Sequence, residues 1–138
     1  MIEPDAGPPV EARRRRVLLV EDDSAAGRGL SRLLEAQGFA VTVVSDGSSA
    51  LAILRDDPSP DFLLTDLQLP DLDGREVARF ARGLVPAPRV ALITGWDLDL
   101  SSDQCAQLGI DWVLLKPLYV PDLVALLNQQ RDPPATNE

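Results

Sequence analysis

The chain has 138 residues, 45% of them hydrophobic and 4% aromatic, a balance typical of one compact domain with one core. Its net charge is −9, so we expect no direct contact with nucleic acid or an anionic membrane. No apolar run reaches the roughly 20 residues of a membrane helix and no signal segment is evident, so we expect a cytoplasmic protein. The chain contains no histidine, which excludes Ser-His-Asp and Cys-His catalysis and His-ligated zinc.

Proline-containing polar segments stand at both ends of the chain. We predict disordered tails over residues 1–14 and 132–138, and one folded domain over residues 15–131. A basic run, Arg13 to Arg16, precedes the first apolar stretch, and we interpret it as a solvated flank without a function. The single cysteine, Cys105, is interpreted as a small packing residue.

Five short apolar runs predict five strands, several of them too continuously apolar for a half-exposed sheet. They cover residues 17–20, 40–44, 62–65, 90–93 and 112–115. Amphipathic segments about ten residues long separate these runs. This alternation predicts an α/β fold with a parallel sheet covered by helices on both faces.

The helical segments carry start and stop signals. The first follows Ser24 as a candidate N-cap and ends at Gly38, with an inward face formed by Leu30, Leu33 and Leu34. Gly27 and Gly29 weaken this helix without an evident reason in the sequence. The second helix covers residues 48–55, with its inward face formed by Leu51 and Leu54.

The last three helices are predicted in the same way. The third opens with Asp73 and Glu76 at a spacing that resembles a capping box, and its apolar face consists of Val77, Phe80, Ala81 and Leu84. The fourth ends at Gly109. The fifth begins with Pro121 in its first turn.

Polar residues come directly after four of the predicted strands. They are Glu21, Asp22 and Asp23 after the first, Asp66 after the third, Thr94 after the fourth and Lys116 after the fifth. The carboxyl ends of parallel strands share one edge, where α/β sheets bind ligands. We therefore expect these residues to meet in one cleft.

The residue types in this cleft indicate phosphoryl chemistry. Crowded carboxylates need a cation, and oxygen ligands are what Mg²⁺ prefers. Lys116 is the only lysine in the chain and can present a compact positive charge to an anionic centre, while Thr94 can donate a hydroxyl hydrogen bond. Together they suit phosphoryl transfer to a carboxylate, with Asp66 as the nucleophile.

At this point the sequence resembles the response-regulator (CheY-like) receiver family of two-component systems. The resemblance covers residues 16–130 and lies in four motifs: Val-Leu-Leu-Val-Glu-Asp-Asp (17–23), Leu-Leu-Thr-Asp-Leu-Gln-Leu-Pro-Asp-Leu-Asp-Gly (63–74), Ala-Leu-Ile-Thr-Gly (91–95) and Leu-Leu-Lys-Pro (114–117). It implies a flavodoxin-like (βα)5 fold of strand order 2-1-3-4-5. It also implies a signalling phosphoacceptor that takes its phosphoryl group onto Asp66 from a histidine kinase or a histidine phosphotransfer domain.

The resemblance also implies roles for individual residues. Mg²⁺ (or Mn²⁺) would be held directly by Asp22 and Asp66, by Glu21 through water, and by the backbone carbonyl of Gln68. The phosphoryl oxygens would be bound by Thr94 and Lys116. The bond between Lys116 and Pro117 is expected to be cis, although X-Pro bonds are seldom cis. A partner would bind the surface of helix 4, strand 5 and helix 5.

The sequence departs from the family pattern in places. Receivers often carry an aromatic switch residue three positions before the lysine, where this chain has Val113; this puts the coupled threonine-aromatic switch in doubt. Gln68 and Trp96 occupy positions that influence the access of water in the family. We expect these two residues, together with Val113, to gate dephosphorylation.

Three other functions are conceivable for such a sequence. A flavin mononucleotide site needs a phosphate loop that Glu21, Asp22 and Asp23 would repel. A haloacid-dehalogenase-type phosphatase usually has Asp-x-Asp after its first strand and a cap domain, and neither is evident. A receiver-like interaction module that is never phosphorylated remains the main alternative. Beyond self-phosphorylation from small donors and autodephosphorylation we expect no enzyme activity. The kinase, the output and the oligomeric state stay open, as does whether the receiver is free-standing or part of a longer protein.

Overall fold

The computed structural model describes residues 14–56, 60–95 and 101–129. Strands and helices alternate along the chain. Their bounds are β1 Arg16–Val20, α1 Ser24–Ala36, β2 Ala40–Val44, α2 Gly47–Asp56, β3 Phe62–Asp66, α3 Gly74–Arg82, β4 Arg89–Thr94, α4 Ser102–Leu108, β5 Trp112–Leu115 and α5 Val120–Asn128. The predicted α/β alternation is confirmed. Strands β3 and β4 end one residue later than predicted, because Asp66 and Thr94 still pair with their neighbouring strands. Strands β1 and β4 also begin one residue earlier, at Arg16 and Arg89.

The five strands form one parallel sheet in the order β2-β1-β3-β4-β5, which confirms the order implied by the family resemblance. Side chains of successive strand residues point to opposite faces, so the sheet has two buried surfaces. One carries Leu18 and Val20 and packs against α2 and α3. The other carries Val17 and Leu19 and packs against α1 and α5.

Two expectations for α1 are wrong. Asp23, rather than Ser24, is its N-cap: Asp23 Oδ1 accepts hydrogen bonds from the N–H groups of Ala25 and Ala26 at 3.1 Å. The carboxylate satisfies amides that otherwise lack partners at a helix start. Leu33 is 51% exposed, because the face that α1 buries is narrower than the spacing indicated.

The other helices follow their signals more closely. Asp73 caps α3, as expected. Its side chain accepts a hydrogen bond from the Arg75 N–H and does not form the expected capping box with Glu76. The reciprocal capping box instead stands at the start of α4, between Ser101 and Gln104. At the end of α4, Gly109 adopts the left-handed conformation with φ 74°, which glycine adopts without steric cost.

Close packing explains one of the glycines in α1. A Cβ on Gly27 would lie 3.1 Å from Val43 Cγ1 and 3.6 Å from Glu21 Cγ, so a larger residue there would require the Val43 side chain to shift slightly. Nothing in the structure explains Gly29.

Arg15, which was expected to belong to a solvated basic flank, instead contributes to packing. The Arg15 guanidinium lies 5.4 Å and 5.6 Å from the ring centres of Phe39 and Phe62. It also donates a hydrogen bond to the Leu127 carbonyl at 2.8 Å. Such cation-aromatic contacts stabilise modestly. Among the described residues, no helix is long and apolar enough to cross a membrane.

Candidate functional site

Most of the residues predicted to form one cleft lie together at the carboxyl edge of the sheet. The exception is Asp23, whose carboxylate caps α1 instead. Backbone hydrogen bonds continue the sheet beyond the strands: Glu21 N–H donates to the Val44 carbonyl at 3.0 Å, and Lys116 N–H donates to the Thr94 carbonyl at 2.8 Å. These bonds hold the chain segments that carry the site in register with one another. The site is therefore built on the hydrogen-bonded edge of the sheet.

Lys116 bridges two buried carboxylates. Its Nζ lies 3.1 Å from Asp66 Oδ1 and 3.2 Å from Glu21 Oε1. The Asp66 and Glu21 side chains are only 5% and 7% exposed, whereas the Lys116 side chain is 41% exposed. The ammonium thus lies where the buried acids meet solvent, and its charge is partly screened.

One oxygen of this cluster is left without a hydrogen bond. Asp66 Oδ1 is fully buried and accepts none from the described residues; its neighbour at 3.1 Å is the Lys116 ammonium, with which it forms an ion pair. Buried polar atoms without partners are rare and costly. This oxygen therefore has free capacity for another ligand.

The environment shifts the pKa values of the three groups. Burial, reinforced by the contact with Glu21, raises the pKa of Asp66 to about 7, against the opposing effect of Lys116. Burial raises the pKa of Glu21, but contacts with Asp66, the Asp23 N–H and Lys116 outweigh it, and the pKa falls below its usual value. Burial lowers the pKa of Lys116, but Asp66 and Glu21 outweigh it and raise the pKa. Asp66 is thus the carboxyl that holds a proton most tightly.

The acidic residues can hold a divalent cation. Glu21, Asp22 and Asp66 each place one carboxylate oxygen within 4.8 Å of the others, and Asp22 is exposed while the other two are buried. Hard cations such as Mg²⁺ take oxygen ligands and retain several waters, and Asp66, whose buried Oδ1 accepts no hydrogen bond from the described residues, is one of the three acids. The donor set fits such an ion.

A cleft of about 190 Å³ opens beside these residues. Asp66, Gln68, Thr94 and Lys116 line it, with Thr94 buried and Gln68 exposed at the rim. The Lys116–Pro117 bond is cis. Trp96 lies outside the described residues.

Val113 occupies the position where the family often has an aromatic switch residue. It is half-buried and packs against the core cluster on the α2 and α3 face of the sheet. A side chain in this place contributes to the core.

Sequence reasoning missed the long-range contacts of two residues in the segment that follows Asp66. A Cβ on Gly74 would lie 2.0 Å from the Asp66 backbone oxygen, so only glycine lets α3 begin so close to the end of β3. Asp71 binds the start of α2 through three hydrogen bonds. The Asp-Leu-Asp-Gly run signals a tight turn, but neither long-range contact can be inferred from it.

Comparisons with known proteins agree with this geometry. Residues 17–128 match the family described as the response regulator receiver domain. The chain is 39% identical over 111 residues to the response regulator receiver protein CpdR of Brucella abortus, covering 80% of this chain and 91% of CpdR. It is 34% identical over 135 residues to the DNA-binding response regulator MtrA of Mycolicibacterium smegmatis, covering 91% of this chain and 56% of MtrA. The chain thus spans nearly all of one relative and about half of the other.

Solved structures give the same result. A CheY-like receiver domain from Methylobacillus flagellatus superposes with a TM-score of 0.73 at 29% identity, covering 83% of this chain and 96% of that one. A second, from Methanospirillum hungatei, gives 0.75 at 27% identity, covering 83% and 90%. Receivers of this family bind Mg²⁺ in an acidic pocket and act with histidine kinases. The chain belongs to the response regulator receiver domain family of two-component signalling systems.

Proposed function

We propose that Asp66 accepts a phosphoryl group from the phosphohistidine of a histidine kinase or a histidine phosphotransfer domain. The observation that carries this proposal is the buried Asp66 oxygen, which accepts no hydrogen bond from the described residues and lies 3.1 Å from Lys116 Nζ. In the transfer, the bond from phosphorus to the histidine nitrogen breaks and a bond to the Asp66 carboxylate oxygen forms. The product is an aspartyl phosphate.

Asp22 and Asp66 would hold Mg²⁺ (or Mn²⁺) directly, Glu21 would do so through water, and the Gln68 backbone carbonyl would complete the protein ligands. When bound, the cation neutralises negative charge on the phosphoryl oxygens. The cluster of three acids supports this assignment. A bound cation would also allow this crowded acidic site to accept a further anionic group.

Lys116 and Thr94 would bind the phosphoryl oxygens once the group is attached. Lys116 already lies beside the acceptor carboxylate, so a small movement brings its ammonium to the new anion. Thr94 ends the adjacent strand and lines the same cleft, where its hydroxyl can donate to a phosphoryl oxygen. Charge-assisted hydrogen bonds of this kind are about twice as strong as neutral ones.

Phosphorylation adds about −1.5 to −2 charges and would switch the surface of α4, β5 and α5 for a downstream partner. Gln68 at the rim of the cleft, together with Trp96, would limit the access of water to the aspartyl phosphate. The activity would be that of a signalling acceptor, and besides the transfer from histidine its own catalysis would extend at most to self-phosphorylation from small donors and autodephosphorylation. MtrA is a DNA-binding regulator, but the net charge of −9 argues against nucleic acid as a partner of this domain.

The test is the intact mass of the protein after incubation with Mg²⁺ and acetyl phosphate. We expect one added phosphoryl group, which disappears in Asp66→Ala and in the presence of a chelator. Asp103→Ala is the matched control because Asp103 is an exposed aspartate on α4, and it should be phosphorylated like the wild type. If a folded wild-type protein forms no adduct with several donors, the domain is an interaction module that is never phosphorylated.

A further inference from the structure

The loop between β3 and α3 carries Gln68, the proposed backbone ligand of the cation. Its base is closed: Gln68 and Asp73 form an antiparallel bridge, and the Gly74 N–H donates to the Leu67 carbonyl at 2.7 Å. Residues 69–72 lie between these closing contacts. Because these residues follow Gln68 directly in the chain, a contact that fixes them also restrains the position of Gln68.

Asp71 ties the loop to a helix that begins 24 residues earlier. Asp71 Oδ1 accepts a hydrogen bond from the Gly47 N–H at 2.8 Å, and Oδ2 accepts from the Ser48 N–H at 2.8 Å and from Ser48 Oγ at 2.6 Å. The amides at the start of a helix lack partners within the helix, and a carboxylate there is favoured by the helix dipole. Asp71 thus caps α2 from a distant part of the chain.

An apolar contact reinforces this connection. The Leu72 side chain packs over Gly47 so closely that a Cβ there would lie 2.3 Å from Leu72 Cδ1. Leu72 also packs against the core cluster between the sheet and α2 and α3. Neighbouring loop residues therefore hold the same point of α2, one by polar contacts and one by packing.

Helix α2 also has a cap from its own segment. Asp46 Oδ1 accepts a hydrogen bond from the Ser49 N–H at 2.7 Å, which is the usual local arrangement. The two aspartates bind the same helix start, but only Asp71 connects it to the loop. The chain thus provides a matched pair of caps.

We propose that Asp71 is a positioning residue for the cation site: by anchoring the β3–α3 loop to the start of α2, it holds the Gln68 carbonyl in place for the ion. This inference rests on the proposed function, since it concerns the same ion. A loop that must become ordered when a ligand binds reduces affinity by the entropy of ordering. A loop that is already anchored before the ion binds does not lose affinity in this way.

The test compares Asp71→Ala with Asp46→Ala by isothermal titration calorimetry with Mg²⁺, using urea unfolding to measure stability. Both variants lose a cap on α2 and should unfold at lower urea concentration. Only Asp71→Ala should bind Mg²⁺ more weakly, by about tenfold, as for other residues that orient metal ligands. Asp71→Asn keeps one acceptor oxygen and should fall between Asp71→Ala and the wild type.

Hydrogen exchange provides a second readout. Coupling between two sites is reciprocal, so Mg²⁺ should slow exchange of the Gly47 and Ser48 amides in the wild type and in Asp46→Ala, but not in Asp71→Ala. If the wild type binds Mg²⁺ and Asp71→Ala binds it equally well, the positioning role is wrong and Asp71 is only a helix cap. If the folded wild type binds no Mg²⁺, the proposed cation site is wrong as well.

Discussion

Replacing Asp66 by Asn should remove a pH dependence from the stability of the metal-free protein. The folded pKa of Asp66 is about 7, raised from 3.8 by burial and by Glu21. The folded state therefore keeps a proton that the unfolded state has released between these two values. The free energy of unfolding should fall as the pH rises through this window.

The size of the effect follows from the shift. Well inside the window, one proton difference changes the free energy of unfolding by about 1.4 kcal/mol per pH unit. Because titration is half complete at pH 7, the wild type should lose about 2 kcal/mol between pH 5 and pH 7. The chain has no histidine, the side chain whose ordinary pKa lies in this range. Since Asp66 and Glu21 interact, the proton belongs to the pair.

The assay is urea unfolding in the presence of a chelator at pH 5, 6, 7 and 8. Asp66→Asn has nearly the same shape without the charge, so its stability should change little over this range and should exceed that of the wild type at pH 8. Asp103→Asn, an exposed control, should retain the wild-type slope. Equal slopes in the wild type and Asp66→Asn would refute the raised pKa of Asp66.

The remaining predictions concern the other parts of the site. In Lys116→Met, the midpoint of the same pH-dependent loss should move above pH 7, because the ammonium lowers the pKa of Asp66; an unchanged midpoint in urea unfolding would contradict this. Gly74→Ala should destabilise the protein by about 3 kcal/mol, since its Cβ would lie 2.0 Å from the Asp66 backbone oxygen. Gly29→Ala, where nothing lies within 4 Å, should instead stabilise α1 by about 0.5–1 kcal/mol. Thermal unfolding of both glycine variants, with opposite signs expected, checks the pair.

Local signals predicted some features more accurately than others. The apolar runs predicted all five strands, because a buried parallel strand requires continuous apolar sequence. The helix ends were less certain: Ser24 and Asp23 are both good capping residues, and only the hydrogen bonds of Asp23 decide between them. Leu33 was predicted to face inward but is exposed. Helical spacing alone does not show how much of a helix surface the neighbouring elements cover.

The sequence by itself determined which residues gather at the carboxyl edge of the sheet, because each follows an apolar strand and parallel strands share that edge. The tertiary structure alone decided which of those residues contact one another. That Lys116 bridges Glu21 and Asp66, and that one Asp66 oxygen accepts no hydrogen bond among the described residues, depends on distances between separate segments. The same holds for Asp71 and the start of α2. Local patterns record which face or end a residue occupies, whereas contacts between distant segments arise only when the sheet order and the loop paths are in place.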